Sequence, residues 1–206
     1  MISYLDILSH RTQLSQSFTN PRRKSRIWSD YPCDSTVLNF GSGDVNAPNH
    51  KEISYIYKEV KACDSDPASG AHYRSVEEIE EKFGLVIAEH VFEHITPQSF
   101  VEGLAKRIHD LIIPGGRLVA TLPNIYNFGN FFVDFDHKNL APPVDLAAIF
   151  CCVGFKFEDF YRWSKQKHMA YHVGMNETEK FLETFLERNY GLQTDRYVTM
   201  VLRKNG

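Results

Sequence analysis

Long apolar runs are missing from this chain. None of its stretches approaches the ~18–20 consecutive apolar residues that a membrane-crossing helix needs, so no membrane insertion is expected. An excess of basic charge is missing too. Lys and Arg number 23 against 26 Asp and Glu, for a formal net charge of −3. Nucleic-acid binders usually carry a basic domain, so a nucleic-acid partner is not expected, and Arg22-Arg23-Lys24 reads as a solvated surface segment. Cysteines are few: Cys33, Cys63, Cys151 and Cys152, with no C-x-x-C pair. Adjacent Cys151 and Cys152 cannot easily bridge to each other, so all four read as reduced thiols of a cytoplasmic protein. Met1-Ile2-Ser3-Tyr4-Leu5-Asp6 lacks the basic-then-apolar order of a signal peptide. Internal repeats and low-complexity tracts are also absent.

What remains is ordinary globular material: 43% hydrophobic and 24% charged residues over 206 positions. A chain of this size removes roughly 70% of its unfolded surface from water. Residues 1–30 read as an N-terminal helical arm broken at Pro21, and residues 31–206 as one domain. Within it, short apolar strands are expected at 36–40 and 59–63, with a third around Ala71-His72-Tyr73. A short helix is expected over residues 49–57. Gly84-Leu85-Val86-Ile87-Ala88 is a continuous apolar run, the mark of a strand buried on both faces of a parallel sheet. Phe100, Leu104, Ile108 and Leu111/Ile112 recur at helical spacing. Pro114-Gly115-Gly116 ends that helix, and Arg117–Leu122 is the next strand. Pro142-Pro143 opens a helix to Cys152, closed by Gly154 and followed by a strand over 155–164. Asn176-Glu177-Thr178-Glu179 is a capping box opening another helix, and a final strand follows from Tyr197. Strands alternating with helices specify an α/β fold, a doubly wound, mostly parallel sheet.

The chemistry begins at Val37-Leu38-Asn39-Phe40-Gly41-Ser42-Gly43-Asp44, a strand running into a glycine turn that lets a cofactor approach the backbone. Asp64 ends the second strand some twenty residues later, where a carboxylate can accept hydrogen bonds from a ribose diol. A dinucleotide site wants a third glycine where Asn46 stands, and the Asp44 carboxylate would repel a pyrophosphate. S-adenosylmethionine carries a sulfonium and an ammonium group and no phosphate, so an acidic lining suits it better.

Four segments in this order resemble the class I S-adenosylmethionine-dependent methyltransferases: Val37–Gly43, Ala62–Pro67, Leu85–Ile95 and Leu111–Leu118. The resemblance runs from about Thr36 to Trp163. It implies a Rossmann-like, seven-stranded sheet in a three-layer αβα arrangement, whose final strand, Tyr197–Lys204, inserts antiparallel. It also implies cofactor-binding roles. Gly41, Ser42 and Gly43 would underlie the methionine and ribose moieties, and Asp64 would bind the ribose hydroxyls. Ser65 would lie beside the adenine, and Ala88, Glu89 and His90 would border the reactive methyl. Asn39 stands where the family usually has Asp or Glu; it can accept a hydrogen bond but brings no charge to the ammonium group. Val45 stands where a third glycine is frequent.

His90, Glu93, His94 and the distant His137 form a further constellation. Histidine and glutamate are metal-ligand types, and the pattern resembles that of the metal-dependent methyltransferases acting on small-RNA 3′ ends and of the ubiquinone-pathway O-methyltransferases, with His90 in place of their first Glu. Of the two alternatives, a metal site and a cluster that orders its loop and closes the cofactor pocket, the second is the expectation, with no metal ligand assigned. Both the fourth and fifth predicted strands deliver their loops to the carboxyl edge of the sheet, so the four residues should converge there. Methyl transfer from a sulfonium is an in-line substitution needing positioning and water exclusion. A general base is needed only for a hydroxyl or a protonated amine; His137 is the first candidate and His90 the second. Asn124–Phe132, rich in aromatics, is the expected acceptor-side loop. The expected activity is methyl transfer to an O or N atom of a small-molecule or sugar acceptor. The alternatives are a methyltransferase-like binding subunit without catalysis and an NAD-type oxidoreductase.

Overall fold

A computed structural model describes residues 2–14, 27–127, 134, 136–139, 141–163 and 197–206. Pro21, Arg22-Arg23-Lys24, most of the aromatic stretch after Asn127 and the helix expected from Asn176 lie outside the described residues.

Among the described residues six strands form one sheet: β1 (Val37–Phe40), β2 (Val60–Cys63), β3 (Phe83–Glu89), β4 (Ile112–Pro123), β5 (Phe155–Trp163) and β6 (Tyr197–Lys204). Their order is β2-β1-β3-β4-β6-β5. The β2, β1, β3 and β4 strands run parallel, and β6 inserts antiparallel between β4 and β5. The helices are α1 (Tyr4–Leu14), α2 (Pro48–Ile56), a composite α3 over Pro97–Ser99, Phe100–Leu104 and Ala105–Leu111, and α4 (Pro143–Cys152).

Side chains alternate across the sheet, which splits the core in two. Leu38, Val86, Ala88, Leu118 and Ala120 face α3 and α4, meeting Phe100, Ile108, Leu146 and Phe150. Val37, Leu85, Ile87 and Val119 face the other way, against Ile27, Trp28, Ile53 and Tyr57. With both faces covered, every position of β1 is buried, which is why these strands read as unbroken apolar runs rather than as alternations. The arrangement is the expected three layers.

Three sequence expectations change. The sheet has six strands among the described residues, not seven. The segment expected as the third strand makes only an isolated parallel bridge, Cys63 to Tyr73. Gly70, at φ +73°, turns the chain just before it, and Ala-His-Tyr offers too short an apolar run to propagate a ladder. Pro114-Gly115-Gly116 does not precede the following strand; it is a bulge inside β4, whose pairing jumps from Phe83↔Ile112 to Leu85↔Arg117. Glycine is required at 116, where a Cβ would lie 2.7 Å from the Gly84 carbonyl oxygen. Finally, α3 is not a straight α-helix. A π-turn at Phe100–Leu104 makes Ala105, rather than Leu104, follow Phe100 into the core.

Candidate active-site cleft at the carboxyl edge of the sheet

The glycine turn sits where β1 ends. Gly41 and Gly43 have φ of +68° and +58°, a left-handed region that glycine enters without penalty. Gly41 is also sterically fixed, since a Cβ there would come within 2.2 Å of Val91 Cγ2. The turn is held by its own amides. Those of Gly41 and Ser42 donate to the Cys63 carbonyl at 2.8 and 3.2 Å, and that of Val45 to the Ser69 carbonyl at 2.9 Å. Gly43 N–H donates to Asp64 Oδ2 at 2.7 Å, and Asn46 N–H to Asp44 Oδ1 at 2.8 Å. The following helix starts with Pro48, which has no N–H. A pyrophosphate needs a nest of free amides or an open helix N-terminus, and these five amides are already engaged.

A cleft of about 880 Å³ opens beside this turn, walled by Gly41, Asp64, Ser65, His90, Val91 and His94 among others. Ser65, from the loop after β2, lies on the wall. Two arginines also reach it, Arg74 and Arg107. Arg74 donates to the Asp66 and Pro67 carbonyls and Arg107 to those of Val76 and Ile79. Both guanidinium groups thus brace the loops after β2 rather than offering a clamp for phosphate. Burial pushes the Cys63 thiol up to about 12, so the one cysteine on the cleft wall stays protonated and is no nucleophile.

His90 is the only non-glycine residue with positive φ among the described residues, at +58°. Such strain persists only where the surroundings over-determine it, and it concentrates at functional sites. Its Nδ1 lies 3.3 Å from Glu93 Oε1, and its ring packs edge-on against Tyr197, centroids 4.9 Å apart. Other expected cofactor residues lie off the cleft wall. Ser42 Oγ donates to the Gly43 carbonyl at 3.1 Å. Ala88 is fully buried beneath the strand end. Glu89 accepts from Trp28 Nε1 at 3.1 Å, tying residues 27–30 to β3. Asn39, 4% exposed, has its amide nitrogen 3.0 Å from His50 Nδ1.

The histidine cluster converges as expected. Glu93, His94 and His137 bring donor atoms within 4.8 Å of one another, and the His94 and His137 rings stack edge-on at 5.0 Å. The Glu93 carbonyl accepts from the Lys138 and Asn139 amides at 2.7 and 2.9 Å, docking that loop onto the turn that follows β3. His94 reaches the cleft; His137, with 8% of its side chain exposed, stands behind it.

Sequence reading missed His50, Val91, Trp28 and the two arginines. Their partners are backbone carbonyls or residues brought near only by the fold, so no local spacing announces them. His50 carries a testable consequence. Burial lowers its pKa from the ordinary value, with His72 adding to the shift. The folded state therefore prefers neutral His50, and the unfolded chain binds more protons once pH falls below its ordinary value of about 6.5. The contribution is complete above that pH and is lost as pH falls toward the folded pKa. The melting temperature should drop between about pH 7 and pH 5, and His50→Gln should flatten that drop in a calorimetric series.

No protein-family model and no curated protein sequence matches this chain. Solved structures do. A SAM-dependent methyltransferase from Archaeoglobus fulgidus superposes with a TM-score of 0.62 at 16% identity, covering 96% of this chain and 94% of that one. The N-methyltransferase NodS from Bradyrhizobium japonicum WM9, solved with S-adenosyl-L-homocysteine, gives 0.56 at 12% identity, over 97% and 87%. A S-adenosylmethionine-dependent methyltransferase from Clostridium acetobutylicum ATCC 824 gives 0.58 at 10% identity, over 100% and 93%. The chain therefore has the Rossmann-like fold of the S-adenosylmethionine-dependent methyltransferases. No helix among the described residues is long and apolar enough to cross a membrane.

Proposed function

We propose that this protein is an S-adenosylmethionine-dependent methyltransferase acting on an O or N atom of a small-molecule acceptor. The observation that carries the reading is the glycine turn: its amides are engaged within the protein and a carboxylate stands beside it. That lining repels a pyrophosphate and suits a cofactor with a sulfonium and an ammonium group. Asp64 would take the ribose hydroxyls on the carboxylate lone pairs left over from its bonds to the Gly43 and Asp66 amides. Ser65 would lie against the adenine, and the segment from Ala88 to His90 would border the methyl. S-adenosylmethionine, when bound, supplies the activated methyl; the chain's part is to orient the acceptor, exclude water and accept a proton.

Of the two histidines proposed as base, His90 stands on the cleft wall and His137 reaches it only behind His94. His90 is accordingly the residue to hold the acceptor's proton, with Nδ1 turned to Glu93. One observation favours a second reading, a binding subunit without catalysis: the position where the family carries an acid is Asn39, and its amide is taken up by His50.

S-adenosylhomocysteine binding tests the first step. At about a hundredfold over its dissociation constant, a ligand specific for the folded state adds about 2.7 kcal/mol, so the melting temperature should rise by several degrees, while NAD leaves it unchanged. Stabilisation by NAD and none by S-adenosylhomocysteine would overturn the assignment. S-adenosylhomocysteine binding without turnover of any acceptor amine or alcohol would favour the binding subunit.

A further inference from the structure

We propose that the π-turn of α3 is a ligand-binding element: it presents the bare backbone of Gly103 and the side chain of Leu104 to the flat face of a neutral heteroaromatic ring, the adenine of the cofactor. This rests on the cofactor reading given above and adds to it the surface that grips the base.

The first observation is a shift of register. In a regular α-helix positions 100, 104 and 108 share one face, and Leu104 would follow Phe100 into the core. Here the Ala105 N–H donates to the Phe100 carbonyl, five residues back, and Phe100, Ala105 and Ile108 form the buried row. The extra residue displaces Leu104, half-buried, onto the cleft wall, where Ser99, Gly103 and Arg107 of the same helix also stand. Such π-turns are rare and are found mostly at functional sites.

The second observation is independent. Glycine inside a helix is unfavourable, because it gives up more chain freedom than any other residue. Packing does not ask for it at 103: a Cβ there would meet no heavy atom within 4 Å among the described residues. Its φ does not ask for it either, since Gly103 is not among the glycines of positive φ. Gly41 and Gly116 differ, each being fixed by a neighbour closer than 3 Å. Gly103 is exposed and lines the cleft, so the side chain it lacks leaves peptide backbone open to a ligand. A bare peptide beside a leucine is a flat, largely apolar surface. A planar neutral base gains on it by dispersion and by release of water.

Placement supports the same reading. Arg107, four residues on, donates from Nε to the Val76 carbonyl at 3.0 Å and from a second nitrogen to that of Ile79. This holds the π-turn beside Ser75, Val76 and Glu77, which line the same cleft as Asp64 and Ser65.

The test sets stability against affinity, using the full chain and S-adenosylhomocysteine. Gly103→Ala should raise the melting temperature of the ligand-free protein by roughly 2–4 °C, because alanine is the better helix former. The same change should weaken S-adenosylhomocysteine by about tenfold in calorimetry, because the added methyl stands where the base lies. Leu104→Ala should weaken it by about tenfold as well, with circular dichroism checking that the variant is folded. A purely structural glycine would not move stability and affinity in opposite directions. Wild-type affinity in Gly103→Ala would overturn the proposal and leave the cofactor reading intact, and so would a Gly103→Ala protein that melts lower than the wild type. Absence of S-adenosylhomocysteine binding by the wild-type chain would overturn the cofactor reading and this proposal with it.

Discussion

Phe92→Ala should destabilise the fold by about 3–5 kcal/mol, the usual loss for a fully buried aromatic ring. Phe92 has no exposed surface and is the hub of an aromatic cluster. Its ring centroid lies 5.1 Å from that of Phe100, edge-on, 5.6 Å from Phe150 and 6.1 Å from Phe40. Those partners come from α3, α4 and β1, so the cavity would open where three elements meet and none can move in alone to fill it. For a chain of this length each kcal/mol moves the melting temperature by roughly 2–4 °C, so a fall of about 10 °C is the expected scale. The same turn carries Glu93 and His94, and His90 lies two residues before Phe92, so the cleft wall should loosen with it. Denaturant unfolding checks the number; a loss below about 1 kcal/mol would mean the neighbouring rings collapse into the space, in conflict with a close-packed cluster.

Asp64→Ala should weaken S-adenosylhomocysteine by about 1.5–3 kcal/mol, the scale of hydrogen bonds to a charged group. Two losses combine. The contact proposed between the carboxylate and the ribose hydroxyls would go, and the Gly43 and Asp66 amides lose their acceptor at 2.7 and 2.9 Å. Asp64→Asn separates them: it keeps the shape and one acceptor oxygen, so its loss should be smaller. Calorimetry measures both. Unchanged affinity in Asp64→Ala would reduce this residue to a shaper of its own turn.

Much of the site's frame was legible in sequence because its signals are local. Doubly buried strands read as apolar runs, and the glycine turn and Asp64 announce themselves by residue type and spacing. The convergence of His90, Glu93, His94 and His137 followed from one rule, that parallel strands deliver their loops to one edge. What escaped depends on contacts no period encodes. Leu104 fits the helical pattern, yet a π-turn swings Ala105 into its place. Asn39 is read as facing a ligand, yet it is paired with a histidine one helix away. Val91, packed on Gly41, lies fifty positions from it in the chain. The segment at 71–73 has a strand-like composition, but the turn at Gly70 and its own brevity leave it with a single bridge.

The inserted position of β6 has a consequence for the order of assembly. Among the described strands β5 pairs only with β6, and β6 is what joins it to β4. During synthesis β5 leaves the ribosome before the strand that will hold it. Until Tyr197–Lys204 arrives, β4 presents a raw edge of unpaired amides and carbonyls, the feature that recruits foreign strands. Two of the sheet's pairings, β4 with β6 and β5 with β6, therefore close last and across long stretches of chain, which makes them slow. A nascent or truncated chain lacking that segment would be the species most prone to aggregate.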